Sequence, residues 1–289
     1  MSTILAVSWW CQSSTAPWTW EPRTYLGVWV VLFLLAAPYV ASMRARHRSV
    51  GLDDRDRRAM MWYVLGLAGV WASSDWPLGS LGAGYLLSIH TVLYIIFTMV
   101  AAPLMLLGMP RWMFDNLLDR LRLRSLYRAM VRPWVAGIVL NLILVVTHIP
   151  MFVDALRTSQ FGSFVLDAAW LLSGIAGWLP IISPREEDRI GNPMWKVTYL
   201  FLAFGAFPMV PGAFITFAGQ PLYGIYDLAP RFGDWSTLED QQLGGAIMKV
   251  GNIPILWAVI AAIFVRSALK TRTDERNIVP DDTEELIRT

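Results

Sequence analysis

Four side chains able to hold a proton or a metal stand inside long apolar stretches: His90, His148, Asp167 and Lys249. Imidazole carries protons and also binds copper or zinc. Buried in lipid, a carboxylate and an ammonium neutralise each other at lower cost than either bears alone. Asp167 and Lys249 therefore read first as an ion pair. His90 and His148 read either as hydrogen-bonded struts between helices or as two ligands of an incomplete metal site. Met248 would add a soft thioether, although it reads first as packing, like Met99, Met151 and Met209. Cys11 is the only cysteine, so a disulfide framework is excluded; it reads as incidental or as a lone soft ligand. No glycine-rich phosphate loop, cysteine pair or Gly-x-Ser-x-Gly elbow occurs, and nothing points to an enzyme or to nucleic-acid binding.

The stretches that carry these groups must be helices. The chain has 289 residues, 55% hydrophobic and 16% charged, with a mean hydropathy of +0.46. A soluble domain carries about a quarter charged residues, and disorder needs the opposite composition. Seven runs approach the ~20 apolar residues that cross a bilayer: 24–43, 59–76, 84–109, 134–155, 163–183, 197–218 and 241–268. A helix in lipid satisfies its own backbone, which an open strand does not.

Basic residues orient the runs. Of 24 Lys and Arg, twenty follow the first, third, fifth and seventh runs, and three (Arg23, Arg157, Arg231) lie in the alternate segments. The positive-inside rule then places the N-terminus outside and the C-terminus in the cytoplasm. The expected architecture is an all-α membrane protein, a seven-transmembrane helix bundle over 24–268. A Trp-rich extracytoplasmic segment covers 1–23 and a charged cytoplasmic tail covers 269–289. The N-terminus lacks the basic region of a cleavable signal peptide. Trp9, Trp10, Trp18 and Trp20 are expected in the outer interfacial belt. Residues 111–132 form a partly amphipathic cytoplasmic segment, with Phe114, Leu117, Leu118 and Leu121 as its apolar stripe, suited to an anionic leaflet.

Within this frame His90, His148, Asp167 and Lys249 fall roughly 7–12 Å below the outer surface at 1.5 Å rise per residue. Four polar groups at one depth predict one outward-facing polar site. Tyr94 shares a helix face with His90, and Ser163 shares one with Asp167. Asp240, Gly244 and Met248 form one row, with Gln241, Gly245 and Lys249 beside it. The glycines let a neighbouring helix approach closely. Asp240, Gln241 and Gln242 are expected at the mouth of the site, capping the seventh helix or meeting a partner. Pro208 and Pro211 kink the sixth run.

The stretch Gln220-Pro221-Leu222-Tyr223, followed by Asp240-Gln241-Gln242-Leu243-Gly244-Gly245-Ala246-Ile247-Met248, resembles the CtaG-like family of bacterial membrane proteins that assemble caa(3)-type cytochrome c oxidase. Supporting likenesses are Ser88-Ile89-His90 with Val100-Ala101-Ala102-Pro103-Leu104, His148-Ile149-Pro150 with Asp154-Ala155-Leu156, and Phe207-Pro208-Met209 through Thr216-Phe217. The resemblance covers about residues 24–268. It implies a plasma-membrane assembly factor or chaperone whose partners are cytochrome c oxidase subunits or their maturation factors. It also implies copper as the metal, with histidines of the third and fifth spans as ligands. This sequence departs from the family pattern at three places. Tyr94 stands where a second histidine of the third span is usual, Ser163 and Asp167 replace the fifth-span pair, and Lys249 follows the signature methionine. The candidate set is then His90, His148 and Met248 for a metal, with Tyr94, Ser163, Asp167 and Lys249 lining the pocket. The competing readings are a small-solute or proton-coupled transporter, or a haem-binding respiratory subunit with His90 and His148 as axial ligands.

Overall fold

The computed structural model describes residues 8–278, with side chains to residue 269. The end of the charged tail, 279–289, and the first seven residues of the N-terminal segment lie outside the described residues. Among those described, regular structure is helical, with no strand. Five helices are long and apolar enough to cross a membrane, or six if one sharply bent pair counts as a crossing. The chain is therefore a membrane protein.

Helix α1 spans Leu26–Ser49 and ends in Arg46, His47 and Arg48, whose charges suit a helix C-terminus. Helix α2, Asp54–Ser74, opens with a capping box in which Asp53 and Asp56 each bond the other's backbone N–H. Its first turn also holds Arg55, Arg57 and Arg58. Those charges leave it short of a full apolar crossing, so the second expected span is a helix that does not meet the length and hydropathy of the others. Helix α3, Leu78–Gly84, is a short buried turn. Helix α4 spans Leu87–Leu107 and loosens into a π-helical turn over Ile96–Ala101.

The amphipathic segment folds as two helices, α5 (Arg111–Arg120) and α6 (Arg124–Met130). Arg122 breaks them apart at φ 55°, a strained value for a non-glycine residue. Phe114 and Leu118 are buried in the core while Leu117 and Leu121 are exposed, so only half of the expected stripe faces away from the protein. Helix α7, Pro133–Val146, meets α6 at a 90° bend. At 14 residues it is only about 21 Å long. The fourth expected span stops there because Pro150 begins a separate helix, α8 (Pro150–Arg157), and holds Ile149 extended.

Helix α9 spans Gln160–Ile182 and is capped by Ser159. Helix α10, Pro193–Phe217, carries a second π-helical turn over Phe201–Ala206. After the short α11 (Gly224–Asp227), α12 (Thr237–Val250) and α13 (Ile253–Ile278) form the last crossing, broken at Gly251–Asn252. The Asn252 amide covers that break by donating to the Phe204 carbonyl.

Helices α10 and α12 pack backbone to backbone. A Cβ on Gly245 would lie 2.5 Å from the Thr216 nitrogen and 2.7 Å from the Gly212 oxygen. Gly245→Ala is therefore expected to destabilise the bundle by about 1–3 kcal/mol through overpacking. Gly137→Ala, whose nearest new neighbour is a side-chain atom at 3.5 Å, should be neutral or stabilising by up to about 1 kcal/mol. Thermal unfolding in detergent, followed by circular dichroism, distinguishes the two.

Candidate functional site

The signature residues Asp240, Gln241 and Gln242 build the site without standing in it. The Asp240 carboxylate accepts from the backbone N–H of Leu87 (2.6 Å) and of Ser88 (3.4 Å), and from the Ser88 hydroxyl. It thereby caps α4 from a different helix, satisfying donors that the start of any helix leaves open. Gly244 admits this approach, since a Cβ there would lie 3.2 Å from the Leu87 backbone. Gln241 accepts from the Leu222 N–H at 2.6 Å and donates to the Gln220 carbonyl, and Gln242 donates to the Ala218 carbonyl. Asp240 and Gln241 are buried, which corrects their expected place at an open mouth. The cap of α12 is instead the Ser236–Glu239 capping box.

The loop held by Gln241 delivers two tyrosines to the two histidines. Tyr223 donates to the His148 carbonyl at 2.7 Å. Tyr226 donates its single hydroxyl proton to the Gly82 carbonyl at 2.6 Å and lies 2.9 Å from Nδ1 of His90. Burial pushes the Tyr226 hydroxyl well above its ordinary pKa, so it stays protonated. Its oxygen is then left to accept, and His90 must carry its proton on Nδ1. His148 sits in the break between α7 and α8, and its Nδ1 lies 2.9 Å from the Leu144 carbonyl, one turn back. A carbonyl only accepts, so His148 also carries its proton on Nδ1.

Both Nε2 atoms therefore present lone pairs. Both are buried and neither has a hydrogen-bond partner among the described residues. The two rings meet edge to face with centroids 5.5 Å apart. Trp170 of α9 closes the cluster, 4.8 Å from His90 and 5.7 Å from His148, and its indole N–H is held by the Thr147 hydroxyl at 2.9 Å. Tyr94 packs edge-on against His148 at 5.1 Å. No set of three or more His, Cys, Asp or Glu able to hold a metal occurs among the described residues.

Asp167 does not pair with Lys249. Its carboxylate accepts from Arg157 at 2.9 Å and from the Trp10 indole at 2.8 Å. Arg157 is fully buried and lies over the Trp170 ring at 5.3 Å. Lys249 instead rests over the Phe217 ring at 4.7 Å. Position decides between the two cations: Arg157 ends α8, and three residues later α9 begins and carries Asp167 back past it. Ser163 is buried one turn before Asp167, with its hydroxyl unpartnered. Met248 is buried against Gly212 of α10, and it takes no part in the ring contacts that join the histidines.

Trp10 leaves the expected interfacial belt to reach Asp167. It is 2% exposed, and Gln160 clamps the backbone before it by accepting from the Trp9 N–H at 2.6 Å. The Ser13 N–H donates to the Arg157 carbonyl at 2.8 Å. Cys11 is drawn in beside Trp10, where its thiol donates to the Ser74 carbonyl. Burial raises its pKa, so it remains a thiol and is poorly suited to bind a soft metal. Trp20 is the one of the four that stays largely exposed.

Sequence reasoning missed Arg157, Trp10, Trp170 and Tyr226. Arg157 was counted only by the sign of its charge. An arginine ten residues before a carboxylate in an apolar run, with a helix start between them, is the signal that would have found it. Tyr226 lies in a polar loop and carried no such signal.

A sequence model described as cytochrome c oxidase caa3 assembly factor matches residues 37–269, most of the chain. No curated protein and no solved structure matches it.

Arg157→Met would strand the Asp167 carboxylate in the protein interior. It is expected to cost about 3–5 kcal/mol, and adding Asp167→Asn should restore much of that loss. Lys249→Met and Asp167→Asn, in contrast, should be additive within about 0.5 kcal/mol. Denaturant unfolding of the purified variants in detergent supplies both double-mutant cycles.

Proposed function

The chain belongs to the cytochrome c oxidase caa3 assembly factor family, and from that premise we propose that it holds one copper ion as cargo for the oxidase. The ion would lie between Nε2 of His90 and Nε2 of His148. One observation carries the reading: two imidazoles fixed as the same tautomer by Tyr226 and Leu144, with both remaining lone pairs buried and unpaired. An unpaired buried acceptor is costly, and a borderline-soft cation that favours imidazole nitrogen removes that cost at both atoms at once.

The residues divide the work simply. His90 and His148 bind, and Tyr226 and the Leu144 carbonyl orient them, as outer hydrogen bonds do at metal-binding histidines. Trp170 and Tyr94 exclude water. The Arg157–Asp167 pair and Trp10 cover the site from the outer end. Met248 is a third donor only if its side chain turns from Gly212. The protein would act without catalysis, in a bacterial plasma membrane, with oxidase subunits or their maturation factors as recipients. Seven crossings, with the N-terminus outside, bring the site to the extracytoplasmic side. The uneven basic split supports that topology, with α2 and the α7–α8 pair as the two short crossings.

The competing readings lose their support. Two imidazoles 5.5 Å apart with Trp170 against both leave no slot for a porphyrin plane between them. Asp167 and Lys249 have different partners, so they do not form the charge pair that would mark one transport path.

Titration with Cu(I) under reducing conditions should give one equivalent bound per chain, with nitrogen scattering in X-ray absorption. His90→Ala and His148→Ala should each abolish it. Tyr226→Phe should weaken it by about 10–100-fold while the fold is retained. A wild-type protein that binds no copper would leave the assembly role without cargo. A fluorescent protein fused to the C-terminus should light up in the cytoplasm, and a periplasm-dependent phosphatase fused there should stay inactive.

A further inference from the structure

Along the outer face of α7, a groove of about 890 Å3 opens between α7 and α10. Its wall is made of Trp134, Ile138, Leu142, Trp195, Leu202 and Phe207, all at least partly exposed to the surrounding lipid. The polar groups along it are mostly committed. Tyr199 donates to Gly177, Thr198 to Met194, and the Asn192 side chain caps the start of α10. The exception is Asn141. Its amide nitrogen donates along α7 to the Gly137 carbonyl and across the groove floor to the Ala203 carbonyl, while its side-chain oxygen is buried without a partner among the described residues.

The groove has the length of one leaflet. From Pro133 to Val145 the α7 wall runs about 18 Å, against a hydrocarbon core of about 30 Å. A transmembrane helix would need the whole thickness, whereas an acyl chain needs half. Cations gather at the mouth. Arg132 adjoins Pro133, Arg189 adjoins Ile190, and Lys196 adjoins Trp195. Arg189 and Arg266 stand within coulombic reach of Lys196, where α13 packs on the start of α10.

Several other basic residues at this end are paired. Arg111 is bound to Glu187, Arg46 to Asp56, and Arg185 to Asp115 and Asp188. Arg189 holds the Ser183 carbonyl and, loosely, Glu186. Lys196 and Arg266 form no ion pair among the described residues. An apolar trough with uncompensated cations at its open end is complementary to one kind of molecule, a lipid with an anionic headgroup.

We propose that this groove is a binding site for one anionic phospholipid of the leaflet at the basic end, its phosphate held by Lys196 and Arg266 and one acyl chain lying along α7 over Asn141. The two tryptophans at the mouth sit at headgroup depth, where indole rings are favoured.

Native mass spectrometry of the full chain tests this, using equimolar phosphatidylglycerol and phosphatidylcholine with identical acyl chains. Phosphatidylglycerol, the anionic lipid, should be retained preferentially, with one molecule per chain. Each of Lys196→Gln and Arg266→Gln should lower that preference by about fivefold, the worth of one basic residue near an anionic surface. Ile138→Trp, which fills the trough, should remove the bound lipid while both cations remain. Tryptophan quenching by brominated acyl chains should lose its Trp195 component in the same variant. Equal retention of the two lipids, or a preference that survives both charge removals, would overturn the proposal. So would a dimer whose formation is blocked by Ile138→Trp, which would assign the groove to a second copy of the chain.

Discussion

Two opposite charges leave water cheaply only when each finds the other and their remaining hydrogen bonds are met. Arg157 and Asp167 come close to that condition, and they recruit three segments to do so. Trp10 supplies a second donor to the carboxylate, which pulls the N-terminal segment into the bundle. Trp170 supplies a ring face to the guanidinium, which is a favourable place for a desolvated cation. The same Trp170 is the wall against which both histidines pack. Ion pair, N-terminal segment and imidazole cluster therefore stand or fall together.

A second scaffold meets the first from the other side. The Asp240-Gln241-Gln242 run spends its polar atoms on backbone: the start of α4, the 218–222 loop and, through that loop, the placement of Tyr223 and Tyr226. A motif that looks like recognition chemistry is thus a set of braces that fixes imidazole orientation at one remove. Its glycines work in the same way, letting α12 come close enough to α4 and α10 for those bonds to be made.

The helices were legible because lipid imposes a length and a composition on anything that crosses it. Each of the seven apolar runs corresponds to helix, but two fall short as crossings, for reasons also written in the residues: five charges at the start of α2 and Pro150 after α7. The level at which two of the polar groups lie relative to each other was legible too, since rise per residue is constant, and His90 and His148 do meet. Rotation was not. A helix buried on most sides is apolar all round, so nothing in its hydropathy says which face turns to which neighbour. That is why Asp167 was matched to Lys249, whose side chain turns to Phe217 instead, and why Arg157 passed as one more loop cation. The inward turn of Trp10 was hidden for a related reason, since an indole suits an interface and a buried hydrogen bond equally well.

The charge arithmetic of the cluster has a consequence for how long anything stays there. Arg157 and Asp167 cancel, and both rings offer neutral nitrogen, so the pocket contributes no net negative charge of its own. A store for cations is ordinarily built from carboxylates or thiolates, whose charge stays to hold the guest. Here a positive guest would be ligated but not neutralised, in surroundings of low dielectric where an unmatched charge is expensive. With copper as its guest, such a pocket would be a waystation: selective at entry, quick to empty, and dependent on a recipient with better-matched charge to make departure downhill.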